Sequence, residues 1–231
     1  MKERGMIFNG AMVRAILDGR KTQTRRPANP QPELTAGSGF SWKGWVYGSG
    51  STDRETNKNF AHVACPHGKP GDRIWVRETF SCIGNEEGHP VDAEGNLCSR
   101  EDAQRIYRAS AIQKPRNYGI WTSPDGFDFE GAWTPSIHMP RWASRITLEI
   151  TNVGVQRLQS ISQNDASREG LIRLPATGRY CLNQGDQYFG GASHDAREVF
   201  SWLWESIYGK ESWQANPWVW VIEFKRIEEK S

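Results

Sequence analysis

The chain has 231 residues, with 29 Lys and Arg against 27 Asp and Glu and a formal net charge of +2. Its mean hydropathy of −0.69 argues against a membrane-spanning helix, which needs about 18 consecutive apolar residues. The first ten residues contain no apolar stretch typical of a secretory signal, so we expect a cytoplasmic protein. Four cysteines are too few for a disulfide framework and fit a reducing compartment.

Charge is distributed unevenly along the chain. Residues 1–26 contain seven basic and two acidic groups, whereas residues 83–102 contain six acidic groups and one basic group. A local basic cluster attracts phosphate groups even when the net charge is near zero. The same residues also suit a solvated helix end, where cations stabilise the helix dipole. Charge alone leaves both interpretations open.

The first predicted element is a short helix that follows Asn9, a residue type that caps helix N-termini, and ends at Gly19. Its apolar residues recur with helical spacing: Met12, Val13, Ile16 and Leu17. The basic block Arg20–Arg26 follows as a loop or the entry to a strand. Residues 27–71 contain five Pro and seven Gly, so we predict an irregular segment with room for short strands at Trp42 and Trp45.

Regular structure is predicted to resume after Gly71. Alternating apolar residues predict four strands, over Arg73–Phe80, Arg105–Ala109, Arg145–Leu158 and Trp218–Ile227. Helical spacing predicts two further helices, from Gln163 to Glu169 before Gly170 and from Ala196 to Ile207 before Gly209. The third strand changes phase at Asn152, which indicates a bulge. Strands separated by short helices and long loops predict an α+β fold with a small twisted sheet or barrel.

Potential zinc ligands lie close together in the sequence at His62, Cys65 and His67. A fourth ligand would have to come from a distant residue, and Cys65–Gly68 reads equally well as a turn. The chain contains no phosphate-binding loop, no paired Cys-x-x-Cys and no nucleophile elbow. We therefore predict neither a metal nor a cofactor.

Lys21 and Thr24 are candidates for base and nucleophile. A lysine held close after a helix end has a lowered pKa when it is desolvated and can then accept a proton. A threonine three residues later supplies a hydroxyl that such a base can activate. An acid is also needed to protonate a leaving amine, and three sequence-distant candidates are Glu78, Glu169 and Glu223. The alternative is a surface turn with ordinary solvated side chains.

A second candidate cluster interleaves cations with an indole at Arg141, Trp142 and Arg145. This pattern suits phosphate contact combined with base stacking. A core Trp flanked by surface arginines explains it equally well. Other tryptophans at which we predict stacking are Trp42, Trp45, Trp121 and Trp133, whereas Trp75, Trp204, Trp218 and Trp220 are predicted to be core residues.

Several blocks of the chain resemble a known family. The blocks Gly19–Arg26, Gly71–Glu78 and Val221–Phe224 resemble the three core blocks of ASCH-domain proteins. More closely, Cys65–Asp72, Pro135–Arg145 and Asn216–Trp220 resemble the long ASCH-type proteins of bacteriophages and prophages. The resemblance spans nearly the whole chain but not the loops at 28–60, 83–102 and 175–192.

The resemblance implies a PUA-like fold, a small and mostly antiparallel β-barrel flanked by short helices, which binds RNA or modified bases. It further implies one domain over residues 1–231, with insertions at about 28–70, 83–102 and 175–192. A much shorter ASCH group removes the acetyl group from N4-acetylcytidine with a Lys base, a Thr nucleophile and a Glu proton donor. Lys21 and Thr24 match the Lys and Thr, and Arg26 matches the trailing Arg of that block. Residues 158–170 resemble the helix that carries the Glu, which selects Glu169.

Three functional hypotheses follow. The first is an amidohydrolase that acts on N4-acylated cytidine through Lys21, Thr24 and Glu169, with Glu78 as the alternative acid. The second is a non-catalytic RNA-binding module whose partner is RNA or a modified nucleoside. The third is a ribonuclease, an activity attributed to some ASCH proteins. Residues predicted to bind the nucleic acid or substrate are Arg25, Arg26, Arg141, Trp142 and Arg145.

Overall fold

The computed structural model of the chain describes residues 1–227. Its helices are α1 (Gly10–Leu17), α2 (Asp53–Ala64), α3 (Gln163–Arg168) and α4 (Ala196–Tyr208). Its strands up to the middle of the chain are β1 (Glu3–Ile7), β2 (Gln23–Pro27), β3 (Glu33–Thr35), β4 (Gly39–Trp42), β5 (Trp45–Tyr47), β6 (Arg73–Arg77), β7 (Phe80–Cys82) and β8 (Arg105–Tyr107). The remaining strands are β9 (Ile112–Gln113), β10 (Trp121–Thr122), β11 (Asp128–Phe129), β12 (Thr147–Arg157), β13 (Ile172–Arg173), β14 (Tyr180–Cys181), β15 (Ala192–Ser193) and β16 (Trp218–Ile227). Short 3-10 helices cover Ser136–His138, Arg141–Ala143, Leu158–Ser160 and Gln184–Phe189.

The strands form several small sheets. The largest has five strands in the order β1-β6-β12-β16-β2, and the others have three or two strands. β16 and β2 run antiparallel, with Ile222 opposite Thr24 and Val221 opposite Arg25. The fold is therefore mixed α and β with mostly antiparallel strands and few helices. Within residues 1–227 the sheets do not close into a barrel.

Local sequence signals explain several of these elements. The Asn9 side chain accepts a hydrogen bond from the Met12 amide at 2.9 Å, which confirms the predicted cap of α1. β6 buries Ile74 and Val76 in alternation, as predicted. β12 changes phase where Thr151 and Asn152 are both exposed. The predicted change of phase in this strand is thus confirmed.

The short strands predicted at Trp42 and Trp45 are confirmed, as β4 and β5 of the sheet β3-β4-β5. The rest of the prediction of an irregular segment from Pro27 to Gly71 is wrong where the chain forms the twelve-residue helix α2. The Thr52 hydroxyl accepts from the Glu55 amide at 3.2 Å, which is half of a capping box that a search for Ser/Thr-x-x-Glu would have found. No Pro or Gly lies within α2. The high Pro and Gly content of the segment comes from the residues on either side of the helix, so the composition of the whole segment did not indicate a helix.

The chain divides into two compact units. The first contains residues 1–4 and 15–74 and the chain from residue 148 to the end of the described part, and the second contains residues 5–14 and 75–147. The predicted organisation as one domain stays a prediction.

An aromatic core fills part of the first unit. Trp42, predicted as a stacking residue, is 7% exposed and lies 5.5 Å from Trp220 and 5.9 Å from Phe60 between ring centroids. It is therefore a core residue, because it is buried among aromatic rings and a base could not stack on it without displacing them. In the second unit Phe80, Met139 and Ala143 form a core against which Tyr107 and Trp142 pack. No helix within residues 1–227 has both the length and the apolar character that crossing a membrane requires.

Candidate functional site

Lys21 and Glu169 form the centre of the candidate site in the first unit. The Lys21 ammonium nitrogen Nζ donates to Glu169 Oε2 at 2.7 Å and to the Glu169 backbone carbonyl at 2.9 Å. Their backbones also pair in an isolated antiparallel bridge. The base and the acid that the family resemblance selects are thus in direct contact.

Arg25 supplies a second cation to the same carboxylate. Its Nη1 donates to Glu169 Oε1 at 2.8 Å, and its guanidinium carbon lies 5.9 Å from the centroid of the Phe200 ring. With the amide oxygen of Gln156 turned toward it, Gln156 accepts from Arg25 Nη2 at 2.8 Å and from Nε at 3.1 Å. Each oxygen of Glu169 therefore accepts from a different cation.

The whole cluster is buried. Lys21 and Glu169 are each 2% exposed and Arg25 is 4% exposed. Burial lowers the pKa of Lys21 below its usual 10.5, and the contact with Glu169 opposes that shift. Burying a charge is costly unless it is paired and hydrogen-bonded, and here the pairing is complete for Glu169. The site combines a buried lysine of lowered pKa with an adjacent carboxyl group.

One glycine and a helix cap set this geometry. Ser162 caps α3 by accepting from the Asp165 amide at 3.0 Å, and Gly170, two residues after the end of α3, has φ +108°. A Cβ at Gly170 would lie 2.7 Å from the Ala15 Cβ and 3.1 Å from the Lys21 Cβ. The close approach of α3 to Lys21 therefore depends on the missing side chain at Gly170.

Alternate residues of β2 reach α3. Gln23 donates to the Asp165 carbonyl at 2.7 Å and Arg25 contacts Glu169, so these two side chains lie on one face of the strand. Gln23 is fully buried, and its side-chain oxygen has no hydrogen-bond partner within the described chain. Thr24 lies on the opposite face of β2, at the register position of buried Ile222, and is 1% exposed. The structure thus brings Lys21 and Glu169 together and places Thr24 on the other face of the strand.

The other two acid candidates lie elsewhere. Glu223 accepts from Arg168 at 3.1 Å and from Asn152 at 3.2 Å. Glu78 belongs to the second unit. There Arg145 Nε donates to Glu78 Oε1 at 2.9 Å and Arg145 Nη2 donates to Glu78 Oε2 at 3.1 Å. Among the three candidates, Glu169 is the one that contacts Lys21.

The predicted cluster of Arg141, Trp142 and Arg145 lies in the second unit. Arg145 also donates to the Ser110 hydroxyl at 2.7 Å and lies 4.0 Å above the Tyr107 ring. Trp142 is half-buried, with its ring 6.2 Å from Phe80 in an edge-on arrangement. Arg141 donates to the Thr147 hydroxyl at 3.4 Å. These contacts hold the three side chains against the rest of the second unit. A phosphate would have to compete with Glu78 for the Arg145 guanidinium group.

Sequence reasoning missed the role of Arg25 at the site. We predicted a phosphate contact for it, together with Arg26, whereas its side chain is 1% exposed and paired with Glu169. Phosphate contact by Arg25 would require this ion pair to open. The period-two spacing of residues 21, 23 and 25 is the signal that would have grouped Arg25 with Lys21. Arg26 lies opposite Trp220 in the β2–β16 register.

The residues considered as zinc ligands do not assemble into a site. Within residues 1–227 no three His, Cys, Asp or Glu side chains come together in a way that could hold a metal ion. Burial is the main cause of a His67 pKa lowered to about 4 and of a Cys65 pKa raised to about 11. Both side chains are therefore uncharged at neutral pH.

We compared the chain with known proteins by family model, by sequence and by structure. No family model matches the chain. No curated protein and no solved structure matches it either.

Proposed function

We propose that this chain is a PUA-like ASCH protein that recognises RNA or a modified nucleoside and hydrolyses the amide of an N4-acylated cytidine. The observation that carries the proposal is the buried contact of 2.7 Å between Lys21 and Glu169. A base and a proton donor must both act when an amide is cleaved, one on the nucleophile and the other on the leaving amine. Contact between the two groups supplies both functions at one place.

Each group has a defined part in the reaction. A proton first passes from the Lys21 ammonium group to Glu169 across their hydrogen bond, which gives an uncharged Lys21 and a carboxylic acid. Lys21 then takes the proton of the nucleophile, which the family resemblance assigns to the Thr24 hydroxyl, and the nucleophile oxygen bonds to the acyl carbon. The bond from the acyl carbon to N4 then breaks while the carboxylic acid of Glu169 gives its proton to N4. Water hydrolyses the resulting ester, which releases the acid and restores Thr24. Because Lys21 and Glu169 are in contact, one proton can then pass from Lys21 back to Glu169.

The pKa of Lys21 supports its part as the base. Desolvation disfavours the ammonium form, so the neutral amine becomes available at lower pH than in a solvated lysine. Arg25 holds the other oxygen of Glu169 at 2.8 Å and thereby fixes the orientation of the carboxyl group. Arg25 is a positioning residue in this proposal.

The test is conversion of N4-acetylcytidine to cytidine and acetate by the wild type and by Lys21→Ala, Glu169→Gln and Thr24→Ala. We expect losses of about 10²-fold or more in kcat/KM for the first two variants, since each removes an acid–base group. Arg168→Ala, which changes a half-exposed cation beside the site, is the matched control and should retain activity. A wild type without activity, or full activity in Lys21→Ala, would overturn the proposal.

Thr24 is tested separately because it lies on the β2 face opposite Arg25. If Thr24 is the nucleophile, Thr24→Ala loses activity together with Lys21→Ala, and mass spectrometry of the wild type detects an acyl group on Thr24. Activity that persists in Thr24→Ala but not in Lys21→Ala would replace Thr24 by a water molecule and leave the Lys21–Glu169 chemistry in place.

One observation favours a second candidate function, a non-catalytic RNA-binding module. The Lys21 side chain is 0% exposed and that of Glu169 is 2% exposed, and both are fully engaged in ion pairs. A closed pair of this kind suits a structural role as well as a catalytic one. RNA binding without turnover of N4-acetylcytidine would favour this module. A labelled RNA followed over time with and without a chelator separates it from a ribonuclease.

A further inference from the structure

A polar groove lies in the first unit between α2 and β12. Its lining consists of Arg54, Asn57 and Lys58 of α2 and residues 152–156 of β12, and its volume is about 460 Å³. We call it the α2–β12 groove. The proposed reaction does not use it, and α2 belongs to the segment that the family resemblance leaves uncovered.

The charge of the groove is positive. Arg54 and Lys58 lie four residues apart on one face of α2, and both are exposed. Asn57 of α2 and Asn152 and Gln156 of β12 add side-chain amides, and none of the described residues that line the groove is itself acidic, although Asn152 donates to Glu223 at 3.2 Å. Of the two acids in the first turn of α2, Asp53 lines a different cavity, and Glu55 accepts from the Ser51 amide at 2.9 Å and also interacts with Lys58. Cations flanked by amides are suited to phosphate and sugar groups.

The groove connects to the Lys21–Glu169 site through one side chain. Gln156 lines the groove and accepts from Arg25 Nη2 at 2.8 Å. Arg25 in turn donates to Glu169 at 2.8 Å. Two hydrogen bonds therefore link a solvent-open surface to the buried carboxyl group.

The floor of the groove is open. A Cβ added to Gly154 would meet no heavy atom within 4 Å. The missing side chain at this position in the middle of β12 leaves the strand backbone accessible, which is a common reason for a Gly within a strand. A chain-like ligand can therefore approach the backbone of β12 between the amides of Asn152 and Gln156.

We propose that the α2–β12 groove binds a single strand of RNA, with Arg54 and Lys58 contacting successive phosphates. This inference rests on the proposed function and specifies its substrate: an N4-acylated cytidine within an RNA strand is hydrolysed in preference to the free nucleoside. The two cations are about 6 Å apart along the helix axis, so they follow the direction of a strand instead of converging on one phosphate. A free nucleoside offers no phosphate to either cation.

The first experiment measures binding of a labelled single-stranded RNA of mixed sequence by fluorescence anisotropy over a range of salt concentrations. Arg54→Glu with Lys58→Glu should weaken binding about tenfold or more at low salt. The slope of log K against log salt should decrease by about 1.4, since each phosphate contact to a single strand contributes roughly 0.7. Lys69→Glu with Lys210→Glu makes the same charge change at exposed positions outside the groove and should change neither the affinity nor the slope appreciably. Equal weakening of RNA binding by both double variants would overturn the proposal that RNA binds in the groove.

A steric variant tests the same surface without changing its charge. Gly154→Val fills the floor of the groove with a residue that favours strands, so the thermal midpoint should not fall. We expect RNA affinity to fall about tenfold at constant salt slope. Gly48→Val, at another glycine with no atom within 4 Å of an added Cβ, is the control. Unchanged RNA binding in Gly154→Val would overturn the proposal.

Two substrates separate failure of the groove from failure of the proposed reaction. Groove variants should lose hydrolysis of an RNA oligonucleotide that contains N4-acetylcytidine while retaining hydrolysis of free N4-acetylcytidine. Equal loss on both substrates would contradict the strand assignment. A different outcome is that the wild type cleaves neither substrate while its RNA binding depends on Arg54 and Lys58. That result would overturn the proposed hydrolysis and support RNA binding in the groove.

Discussion

At the level of single residues, Glu169 organises the candidate site. One of its carboxylate oxygens accepts from Lys21 at 2.7 Å and the other accepts from Arg25 at 2.8 Å. Because of this double pairing, removal of either cation should lower the free energy of unfolding substantially. Loss of one partner leaves a charge that is buried and uncompensated.

Arg25→Met should therefore destabilise the protein strongly, by about 3–5 kcal/mol, because it breaks a buried ion pair. Urea unfolding followed by tryptophan fluorescence measures the change. The matched control is Arg168→Met, which removes a cation that is 37% exposed and pairs with Glu223 at 3.1 Å. This control should cost less than about 1 kcal/mol. Equal costs for the two variants would contradict the account of the buried pair.

His67 gives the protein a predictable sensitivity to acid. Burial is the first cause of its lowered pKa, followed by Arg26 and Arg4, and the pKa falls from 6.5 to about 4. Because the unfolded chain binds the proton more readily than the folded one, stability contributed by neutral His67 is lost as the pH falls from 6.5 toward 4. Unfolding midpoints at several pH values measure this loss. His67→Gln should flatten the curve in this window, and an unchanged curve would contradict the buried state of His67.

At the level of elements, the position of α3 against Lys21 depends on its C-terminal glycine. Gly170→Ala would combine strain at φ +108° with a Cβ contact of 2.7 Å to Ala15. We expect a loss of roughly 1–3 kcal/mol in the free energy of unfolding, together with reduced hydrolysis. Gly178→Ala has φ +69° and open space around its Cβ to 3.9 Å, so it should cost less and leave activity unchanged. Similar effects of the two variants would contradict the close approach of α3.

Elements whose signals are local could be predicted from the sequence. Asn9 and Gly19 define α1, and the final strand Trp218–Ile227 is confirmed with the predicted bounds. The helix α2 was missed, although its cap at Thr52 and Glu55 is equally local, because the surrounding glycines dominated the composition. The strand β1 was also missed, since its residues show little apolar alternation.

The pairing of residues at the site was less predictable, since it depends on tertiary structure. Lys21 and Glu169 are 148 positions apart in the sequence. Residue spacing left three glutamates as candidates for the acid, and the resemblance to ASCH proteins selected Glu169 among them. The burial of Arg25 could not be inferred from its place in a basic block, because its environment is set by α3 and α4. The same block placed Thr24 three residues after Lys21, but the register of β2 against β16 determines its face.

At the level of the whole molecule, the cations fall into a buried group and an exposed group, which the near-neutral net charge does not reveal. Lys21 and Arg25 are buried and paired, whereas Arg54 and Lys58 are exposed on the α2–β12 groove. In the proposed function the buried cations act on protons and carboxylates, and the exposed cations contact phosphates. The division separates the proposed chemistry from the proposed recognition of the RNA strand, so each can be removed without the other.

The pH dependence of kcat/KM for N4-acetylcytidine tests the central claim most directly, because the proposed reaction needs one proton on the Lys21–Glu169 pair. The account predicts product formation by the wild type, with activity that falls to half its maximum below pH 10.5, the ordinary pKa of lysine, as the pair loses that proton. Lys21→Ala should lower activity by about 10²-fold or more and abolish this fall. No product at any pH, or a Lys21→Ala variant that keeps the wild-type profile, would contradict the account.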